Sequence, residues 1–468
     1  MIINKIGLEL HFQLKTKTKL FSSARNQFSF KANTLTNSYD WGYPGTLPQL
    51  NQKAVELSLD AAYLLNCKIN DWLYFDRKNY YYSDLPKGYQ ITQFYEPLGL
   101  RGYLWIFLPN QDWKKINITS ISIEEDSAKS IYEKGNIFVD YNRSGIPLIE
   151  VVTEPDFNNY KQVEKFIKKI IRLFKKTKIS NADFSKGSLR VDLNISTSID
   201  GKNFCFRTEI KNLNSLQNIK KAIDQESHYQ WKNISKIKKS STKNYNEKLK
   251  KLVMLRFKFN KYDYCFIPEN NIAPILIESH FKKERFFKLN NLKNWEDKFI
   301  KEHKLDFVSA EWLLNKSYLI PYFVKLKSYI FLREVVIPYL KTSKKTLENF
   351  NFNLAEKLLF AFSQKKINFT TLKNIFFKYE DGKNQLNLEK LILKKQENII
   401  LPEEIKMFYQ TLDTFCKNDK NLKNNFDKNS QKTTNYLIGK IVQLKKHKIS
   451  PKTLTDLIKK YFDRHRKK

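Results

Sequence analysis

The chain has 468 residues, which is enough for two or three domains of ordinary size with a sizeable hydrophobic core. Hydrophobic residues make up 41% and aromatic residues 14% of the sequence, so the composition excludes an intrinsically disordered protein. The formal net charge of +36 at pH 7 favours a polyanionic partner such as nucleic acid. The excess of Lys, Asn, Ile, Phe and Tyr is also typical of an AT-rich genome, so codon bias is a second explanation for part of this charge.

Cysteine use and hydropathy bear on the compartment. The chain contains four cysteines: Cys67, Cys205, Cys265 and Cys416. They are far apart and form no CxxC pair, so neither a disulfide framework nor a Cys-rich metal site is predicted. The N-terminal segment is interrupted by Lys5, Glu9 and His11 and is not typical of a signal peptide. No apolar run is long enough to span a bilayer, so we expect a cytoplasmic protein with no membrane partner.

Glycine content divides the sequence into two parts. Of the 12 glycines, only Gly382 and Gly439 lie in the second half of the chain. Because glycine supplies tight turns, we expect a sheet-containing first half and a mostly helical second half. The predicted fold class is α+β. A cradle domain with a mixed or antiparallel sheet is expected over residues 1–291, followed by an all-helical domain over 292–395 and a small helical tail domain over 396–468.

The first predicted strand is IGLELHFQL, in which polar and apolar residues alternate. This alternation puts Glu9, His11 and Gln13 on one face and the leucines with Phe12 on the other. Further predicted strands are SISIEED, GNIFVDY, IPLIEVV, GSLRVDLNIS and NFCFRTEIKN. Between them, Asp156 is the predicted N-cap of a helix. The apolar face of that helix would consist of Val163, Phe166, Ile167, Ile170, Ile171 and Phe174.

The second half has helical periodicity from about Leu292 onward. Ser450 followed by Pro451 predicts the start of the last helix. Its apolar stripe would consist of Leu454, Leu457, Ile458 and Phe462. The Lys- and Asn-rich segments 236–251 and 418–432 are predicted to be exposed loops or linkers.

A first polar cluster centres on Glu150, which lies within the apolar strand IPLIEVV. A buried carboxylate is costly unless a cation, a metal or hydrogen-bond donors pair with it. Glu9 and His11 share a strand face, and Glu124 lies at a strand end in IEEDSAK. A divalent cation would relieve the repulsion among these acids, and a His ligand would admit Mn²⁺ as well as Mg²⁺. The alternative is a structural ion pair between Glu150 and Arg143 or another cation.

A second cluster lies in YFDRKNYYYSDLPKGYQITQ, where Lys78 and Lys87 occur with Tyr80, Tyr81, Tyr82 and Tyr89. Cations beside aromatic rings suit phosphate binding and base stacking. An ordinary tyrosine-rich loop packed on the sheet is the alternative.

A third cluster lies on two predicted neighbouring strands. On one strand Arg190, Asp192 and Asn194 share a face; on the other the shared face carries Arg207, Glu209 and Lys211. The opposing positions are apolar: Val191, Leu193, Phe206 and Ile210. This pattern favours a sheet with one packed face and one polar groove over a fully solvated face. The sequence has no P-loop, no GxGxxG fingerprint and no GxSxG elbow, so a nucleotide would require a cradle of carboxylates and metal.

Across these clusters the sequence resembles the B subunit of the aspartyl/glutamyl-tRNA amidotransferase (the GatB family). The matching motifs run in family order from Ile6 to about Ile223. They are IGLELHFQLKTKTKLF, YPGTLPQLNQKAVELSL, FDRKNYYYSDLPKGYQITQ, IEEDSAKS, VDYNRSGIPLIEVVTEPD, GSLRVDLNIS and TEIKNLNSLQNIKKAI. The tail segment NYLIGKIVQLKKHKISPKTLTDLIKK resembles, more loosely, the terminal helical hairpin of the same family.

The resemblance implies an ATP-dependent ligase that amidates misacylated tRNA. ATP would phosphorylate the side-chain carboxylate of Glu-tRNA(Gln) or Asp-tRNA(Asn), and ammonia would then displace phosphate. The implied partners are an amidase (the A subunit) that releases ammonia from glutamine, a small C subunit, and the tRNA bound by the tail domain. His11, Glu124 and Glu150 match the family's metal positions, with Glu9 beside them as a further catalytic residue. Weaker matches for nucleotide binding are Lys78, Lys87, Arg190, Asp192, Glu209 and Lys211.

The sequence departs from the family at two places. Many members carry a four-cysteine zinc site before the "PG" turn, but the equivalent segment here has no cysteine, so we expect no zinc and a loop held by hydrophobic packing. The family motif DYRYFPEPD appears as DYCFIPENN, so Cys265 replaces its first arginine. Two alternatives therefore stay open: a tRNA-binding assembly scaffold with a decayed site, and a ligase of another nucleotide-dependent class. The retained acids within apolar strands favour the enzyme over the scaffold.

Overall fold

The computed structural model describes residues 2–257, 264–343, 350–379, 402–419, 422, 426–427, 429–443 and 451–466. The chain divides into two compact units, Met1–Ala310 and Glu311–Lys468. Every strand of the described residues lies in the first unit, and the second unit is helical. The α+β fold class predicted from the sequence is confirmed.

The first unit contains sixteen strands and five complete helices among its described residues. The strands are β1 (Ile3–Gln13), β2 (Lys68–Ile69), β3 (Trp72–Leu73), β4 (Asp76–Asn79), β5 (Tyr89–Thr92), β6 (Gly99–Phe107), β7 (Trp113–Glu125), β8 (Lys129–Glu133), β9 (Asn136–Asp140), β10 (Pro147–Thr153), β11 (Leu189–Ser198), β12 (Thr208–Leu213), β13 (Ser241–Asn246), β14 (Lys251–Phe257), β15 (Cys265–Pro268) and β16 (Ile275–Leu276). The helices are α1 (Gln52–Leu64), α2 (Tyr160–Lys176), α3 (Leu216–Lys232), α4 (Ser279–Leu289) and α5 (Trp295–Glu302).

A nine-stranded sheet organises this unit, with strand order β14-β13-β12-β11-β1-β10-β7-β6-β2. Neighbours are antiparallel except for the parallel pair β12 and β13, so the sheet is mixed as predicted. A three-stranded sheet has the order β15-β4-β5, and two further pairs are β16-β3 and β8-β9. Strand β1 is central in the large sheet, which places its side chains far from either sheet edge.

The two faces of β1 are built as the alternation predicts. Leu8, Leu10 and Phe12 are buried in the main hydrophobic core, whereas Glu9 and His11 are only partly buried on the other face. Helix α2 covers the apolar face, and its Phe174 ring meets the Phe12 ring edge-on at 4.8 Å. Burying one such side chain stabilises a protein by about 1.5–3 kcal/mol. The core therefore fixes β1 and, through it, the positions of the polar side chains opposite.

Helix α2 begins later than predicted. Its N-cap is Asn159, whose side chain accepts a hydrogen bond from the Gln162 amide, so the assignment of Asp156 as N-cap was wrong. The Asp156 carboxylate instead accepts hydrogen bonds from the backbone and side-chain amides of Asn117 at 2.8 and 2.9 Å. A carboxylate engaged by two donors on β7 is not available to cap the helix.

The segment 236–251 was predicted to be an exposed loop, and this was wrong for residues 241–246, whereas residues 247–250 form an exposed turn. Strand β13 lies inside the sheet between β12 and β14. Its Lys243 ammonium lies 2.7 Å from the Glu226 carboxylate of α3, and both side chains are buried. Lysine and asparagine are usually solvated, so a segment rich in them is typical of an exposed loop. The strand could not be predicted from this composition, because the buried partner of its lysine lies elsewhere in the chain.

Strand β12 also differs from its predicted extent. It begins at Thr208, so Arg207 and Phe206 precede it, and Phe206 is exposed rather than packed in the core. The pairing of β11 with β12 shifts register between Val191 and Leu193. The predicted apolar positions Val191, Leu193 and Ile210 are all buried.

The loop before α1, for which packing in place of zinc was predicted, combines apolar and ionic contacts. Leu20, Phe21 and Tyr39 belong to the main core. In addition, the Lys19 ammonium lies 3.2 Å from the Asp40 carboxylate, and both side chains are fully buried. Hydrophobic packing alone was therefore an incomplete account of this loop.

The second unit is built of helices with its own apolar contacts. They are α6 (Phe307–Asn315, which begins in the first unit), α7 (Ile320–Leu326), α8 (Tyr329–Phe331), α9 (Ile337–Ser343), α10 (Phe352–Ser363), α11 (Phe369–Tyr379), α12 (Pro402–Asn418), α13 (Ser430–Gln443) and α14 (Pro451–Arg466), with short 3₁₀ and π segments at Ser317–Leu319 and Leu332–Val336. None of the helices in the described part of the chain is long and apolar enough to cross a membrane.

The last helix agrees with its predicted pattern. Helix α14 begins at Pro451, while Ser450 lies outside the described residues. The predicted apolar stripe is buried in one cluster: Leu454, Leu457, Ile458 and Phe462. Part of the predicted exposed loop 418–432 lies outside the described residues, but Leu422 and Phe426 within it are buried in the same cluster, so the prediction was wrong for these two residues. Helix α12 ends at Asn418 and α13 begins at Ser430.

Candidate functional site

The polar face of the nine-stranded sheet carries the candidate site. In the register of β1 with its neighbours, His11 is opposite Glu150 of β10 and Arg190 of β11. Glu9, two residues earlier on the same face, is opposite Asp192. Because residues directly opposite one another share a face, residues far apart in sequence meet along these two rows.

His11 lies at the centre of a carboxylate cluster. Its Nε2 atom is 3.2 Å from an oxygen of Glu124, 3.5 Å from one of Glu9 and 3.6 Å from one of Glu150. Glu150 therefore faces an imidazole, and it is partly buried rather than fully buried as the apolar strand predicted. The alternative pairing of Glu150 with Arg143 is wrong, because the Arg143 guanidinium is bound to Asp126 at 2.7 Å.

The electrostatics of this cluster favour a positive charge at its centre. Burial, followed by the nearby charge of Glu150, raises the pKa of Glu9. Burial lowers the pKa of His11, but the surrounding carboxylates, with Glu124 first, outweigh it and hold that pKa well above its usual range. An imidazolium or a metal cation can supply this charge, since either one offsets the mutual repulsion of the acids.

The donor atoms fit a divalent cation. Glu9, His11 and Glu150 each offer one ligand atom, and these atoms all lie within 4.8 Å of one another. Carboxylate oxygens suit Mg²⁺, and an imidazole nitrogen is compatible with Mn²⁺ as well. The sequence-based set was His11, Glu124 and Glu150. Glu124 contacts His11 but is outside the compact group, in which Glu9 takes its place.

A cavity of about 390 Å³ opens onto the cluster. Its lining residues are Glu9, Lys78, Thr92, Gln93, Phe94, Pro97, Ser120, Ser122, Glu124, Glu150, Val152, Tyr264 and Phe266. The acids and the two serines come from the large sheet, Thr92 comes from β5, and the aromatic rings come from β15 and the segments beside β15 and β5. The rings of Phe94 and Phe266 are stacked with centroids 3.9 Å apart. The cavity therefore has a polar wall and an aromatic wall, which suits a ligand with a charged end and a flat apolar end.

Lys78 is the only lysine or arginine among the described residues that line the cavity. It belongs to β4, and its ammonium lies 4.7 Å from the centroid of the Tyr264 ring. The ring therefore holds the cation by a cation–π contact. Lys78 therefore lies on the cavity wall, and its role in a nucleotide site stays a prediction.

Lys87 is placed differently. Its ammonium lies 2.7 Å from both carboxylate oxygens of Glu125 and donates to the Tyr39 hydroxyl at 3.1 Å. Both side chains of the Lys87–Glu125 pair are buried, and neither lines the cavity. The structure thus separates the two lysines that the sequence placed in one cluster.

The remaining predicted residues flank the cavity without lining it. Arg190 binds Asp126 at 2.6 Å and thereby joins the pair made by Asp126 and Arg143. Beside Glu9, the Lys211 ammonium lies 2.9 Å from Glu209 and 3.5 Å from Asp192.

Burial and charge pairing act in opposite directions on the pKa of Asp192, and likewise on the pKa of Lys211. Burial raises the pKa of Asp192, although Lys211 opposes that rise. Burial also lowers the pKa of Lys211, but the charges of Asp192 and Glu209 outweigh it and raise that pKa. The third cluster is thus a network of ion pairs adjacent to the candidate metal ligands.

Sequence reasoning missed most of the cavity wall. Ser120 and Ser122 lie on β7 at alternate positions before Glu124, so the same alternation rule could have found them. Phe94 and Phe266 had no such signal, because their contact joins segments far apart in the chain. Gln93 was also missed; it donates to the Tyr74 carbonyl and accepts from the Ile123 amide, which connects the smaller sheet to β7.

Comparison with known proteins identifies the class of this domain. Residues 4–283, which include the cavity, match the family model described as the GatB/GatE catalytic domain. The chain is 33% identical to the aspartyl/glutamyl-tRNA(Asn/Gln) amidotransferase B subunit of Mycoplasmopsis pulmonis over 469 residues, 98% of each chain. It is 32% identical to that of Finegoldia magna over 470 residues, 97% of this chain and 98% of the other. The chain belongs to the family of aspartyl/glutamyl-tRNA(Asn/Gln) amidotransferase B subunits.

Proposed function

We propose that this chain activates the side-chain carboxylate of misacylated tRNA with ATP and then directs its amidation. A carboxylate oxygen of Glu-tRNA(Gln) or Asp-tRNA(Asn) attacks the γ-phosphorus of ATP, and ADP leaves. Ammonia then attacks the acyl carbon, phosphate leaves, and ammonia loses one proton as Gln-tRNA or Asn-tRNA forms. The observation that carries the proposal is the carboxylate–imidazole cluster on the wall of a cavity that also presents Lys78.

The chain's own residues support this chemistry in distinct ways. Glu9, His11 and Glu150 would hold a divalent cation, Mg²⁺ or Mn²⁺, with Glu124 contacting His11. When bound, the cation supplies positive charge that neutralises nucleotide phosphates, which is the main requirement of phosphoryl transfer. Lys78 adds a second positive charge on the cavity wall. Lys78 would bind a phosphate group there and help to orient the transferred group.

The aromatic wall supports nucleotide binding at the other end of the cavity. Phe94, Tyr264 and Phe266 line the cavity, and a purine base can stack on aromatic rings of this kind. Ser120 also lines the cavity and offers a hydroxyl donor for a ribose or a phosphate, whereas the Ser122 hydroxyl donates to the Gln93 carbonyl at 3.0 Å. The other predicted nucleotide-site residues stay predictions: Lys87, Arg190, Asp192, Glu209 and Lys211. Their ion pairs suit a role in positioning the residues that line the cavity.

The partners follow from the reaction. Ammonia requires a source, for which we propose an amidase as the A subunit, with a small C subunit joining the complex. The tRNA is the anionic partner that the net charge of +36 would attract. Zinc is not expected in the loop before α1, which has no cysteine, and the cytoplasmic location stays a prediction from cysteine use.

The decisive experiment separates the enzyme from the scaffold. The chain is reconstituted with the proposed subunits, or with ammonium in place of the amidase, and given ATP and each misacylated tRNA. We expect ADP release and amide formation by the wild type and a large loss of both in Glu150→Gln. The matched control is Glu154→Gln, because Glu154 lies just beyond β10 and its carboxylate accepts a hydrogen bond from the exposed Thr119 hydroxyl, away from the cavity. Equal rates for wild type and Glu150→Gln would support the scaffold and refute the assignment.

A further inference from the structure

One buried aspartate holds two arginines on the polar face of the large sheet. The Asp126 side chain is only 3% exposed; its Oδ2 lies 2.7 Å from Nη2 of Arg143, and its Oδ1 lies 2.6 Å from Nη2 of Arg190. One carboxylate cannot neutralise two guanidinium groups, so the three side chains together have a formal charge of +1. The arginine side chains are 28% and 36% exposed, so this positive charge is open to a ligand. We call Arg143 and Arg190 the arginine pair.

Both members of the arginine pair keep hydrogen-bond donors for a ligand. Arg143 donates to Asp126 through Nε and Nη2, and its Nη2 also donates to the Gly187 carbonyl at 3.4 Å. Arg190 donates to Asp126 through Nη2 alone. No described residue accepts a hydrogen bond from Nη1 of Arg143, or from Nε and Nη1 of Arg190. Free guanidinium N–H groups bind carboxylate or phosphate oxygens through directed, charge-assisted hydrogen bonds.

The arginine pair borders the carboxylate–imidazole cluster but lies outside the cavity. Two serines and then Glu124 alternate along the polar face of β7 and line the cavity. Asp126 continues this alternation one residue beyond the strand, and neither it nor the arginine pair lines the cavity. Arg190 comes from β11, where it is opposite His11. Because β1 and β10 lie between β11 and β7, the Arg190 side chain crosses both strands beside the cluster to meet Asp126.

The proposed reaction brings two anions to this cluster, and the cavity accounts for one of them. ATP would occupy the cavity, where Lys78 lies on the wall. The substrate carboxylate has to approach the γ-phosphorus from the side opposite ADP, because the attacking and leaving oxygens lie roughly in line. Lys211, another cation beside the cluster, already lies between Asp192 and Glu209 and has no charge in excess. The arginine pair has excess positive charge and the position that the second anion requires.

We propose that Arg143 and Arg190 bind the side-chain carboxylate of the misacylated amino acid and thereby distinguish substrate from product. The inference rests on the proposed function for the identity of this ligand. Guanidinium groups offer only donors, so they favour a carboxylate, which only accepts, over a neutral amide, which carries two donors of its own. Holding one carboxylate oxygen leaves the other free to attack the γ-phosphorus. Asp126 is then a positioning residue, because it orients both arginines without touching the substrate.

The test compares the affinities of the full chain for two tRNAs that differ only in this side chain, with Mg²⁺ present and ATP absent. The probes are Glu-tRNA(Gln) and Gln-tRNA(Gln), or Asp-tRNA(Asn) and Asn-tRNA(Asn) where the wild type amidates that substrate. We expect the wild type to bind the carboxylate form at least about tenfold more tightly than the amide form, since hydrogen bonds to charged groups are the stronger class. In Arg143→Met the two affinities should agree within about twofold.

The choice of variant follows from the surroundings of each arginine. The carboxylates of Glu124 and Asp192 also act on the charge of Arg190, so replacing Arg190 would disturb the cluster directly. Arg143 is therefore the residue to change. The matched control is Arg172→Met, because Arg172 pairs with Glu296 at 2.6 Å but belongs to α2, which covers the opposite face of the sheet. This control should keep the affinity ratio of the wild type.

Further measurements separate the outcomes. Arg143→Lys keeps a charge beside Asp126 but loses the fork of donors, so it should lose part of the preference even if Arg143→Met misfolds. An unchanged affinity ratio in both variants overturns the inference: a raised KM for ATP would then assign the pair to nucleotide phosphates, and a lower melting temperature alone would make it structural. Equal affinities in a wild type that forms amide overturn this inference and leave the proposed function standing. A preserved preference without amide formation supports the inference and refutes the proposed function.

Discussion

The two faces of strand β1 differ in the interactions that hold their side chains in place. Leu8, Leu10 and Phe12 are fully buried and interact through non-directional packing with the core. On the opposite face Glu9 and His11 are held by charge, at 3.2 to 3.6 Å between His11 and three carboxylates. The residues that stabilise the fold and the residues of the candidate site therefore lie on opposite faces of one strand. The apolar face should govern folding, whereas the polar face should govern ligand binding at little gain, or even some cost, in stability.

The apolar face should give the greatest change in stability. Phe12→Ala removes a buried ring that packs on Phe174 and should lower the free energy of unfolding by about 3–5 kcal/mol. Urea denaturation of the two proteins measures this difference. The folded variant should keep the Mn²⁺ affinity of the wild type. A normal unfolding free energy together with weakened Mn²⁺ binding would show that the two faces are not separable.

Substitution on the polar face should reduce activity without reducing stability. Glu150→Gln removes a charge from the cluster and should reduce amide formation about 100- to 1,000-fold, the loss expected for one preorganised electrostatic group. Its unfolding free energy should be equal to or above that of the wild type, because repulsion with Glu9 is relieved. Single-turnover assays and urea denaturation check the two expectations. A variant that unfolds more easily and still turns over normally would reverse the comparison.

Lys78 tests the cation on the cavity wall. Lys78→Met removes a cation that makes no ion pair among the described residues and should raise the KM for ATP about tenfold or more, since a hydrogen bond to a charged group contributes roughly 1.5–3 kcal/mol. Steady-state ADP release at varied ATP measures this change. An unchanged KM would remove Lys78 from the nucleotide site.

Lys87→Met is the informative counterpart, because Lys87 is buried against Glu125. A lower unfolding free energy with an unchanged KM would make Lys87 structural. A raised KM at normal stability would instead support the nucleotide-binding role predicted from the sequence.

Cys265, where the family motif has arginine, should show the weakest response. Tyr264 and Phe266 line the cavity, whereas Cys265 is exposed and does not. By the alternation of a strand, its side chain lies on the opposite face from theirs. Cys265→Arg should therefore change kcat/KM for ATP by less than about twofold, and surface substitutions of this kind shift stability within about 0.5 kcal/mol. A large gain in activity would show that the lost arginine matters for this site.

Much of the fold and the core of the site could be predicted because both depend on local alternation. The period-two pattern of β1 identified Glu9 and His11 as neighbours on one face, and the apolar run around Glu150 indicated an acid that needed a partner, although Glu150 is only partly buried. Family motifs then joined these residues with Glu124. The identity of the partner, an imidazole surrounded by acids, depended on strand register, which a single strand does not encode.

What could not be predicted depended on contacts between distant segments. The Phe94–Phe266 stack and the Arg143–Asp126 pair each join different elements. Strand β13 was missed because Lys243 finds a buried partner, Glu226, that its own sequence neighbourhood does not reveal. Such features are decided by tertiary context, which overrides local composition.

The proposed chemistry depends above all on Glu9, His11 and Glu150 together binding one divalent cation in the cavity. The most direct measurement is the anomalous difference density of crystals of the full chain grown with Mn²⁺ and a non-hydrolysable ATP analogue. We expect a peak within coordination distance of all three side chains, with the analogue's phosphates on its open side and near Lys78. A phosphate-bound Mn²⁺ peak remote from these side chains, with His11 still enclosed by the carboxylates, would contradict the proposed site.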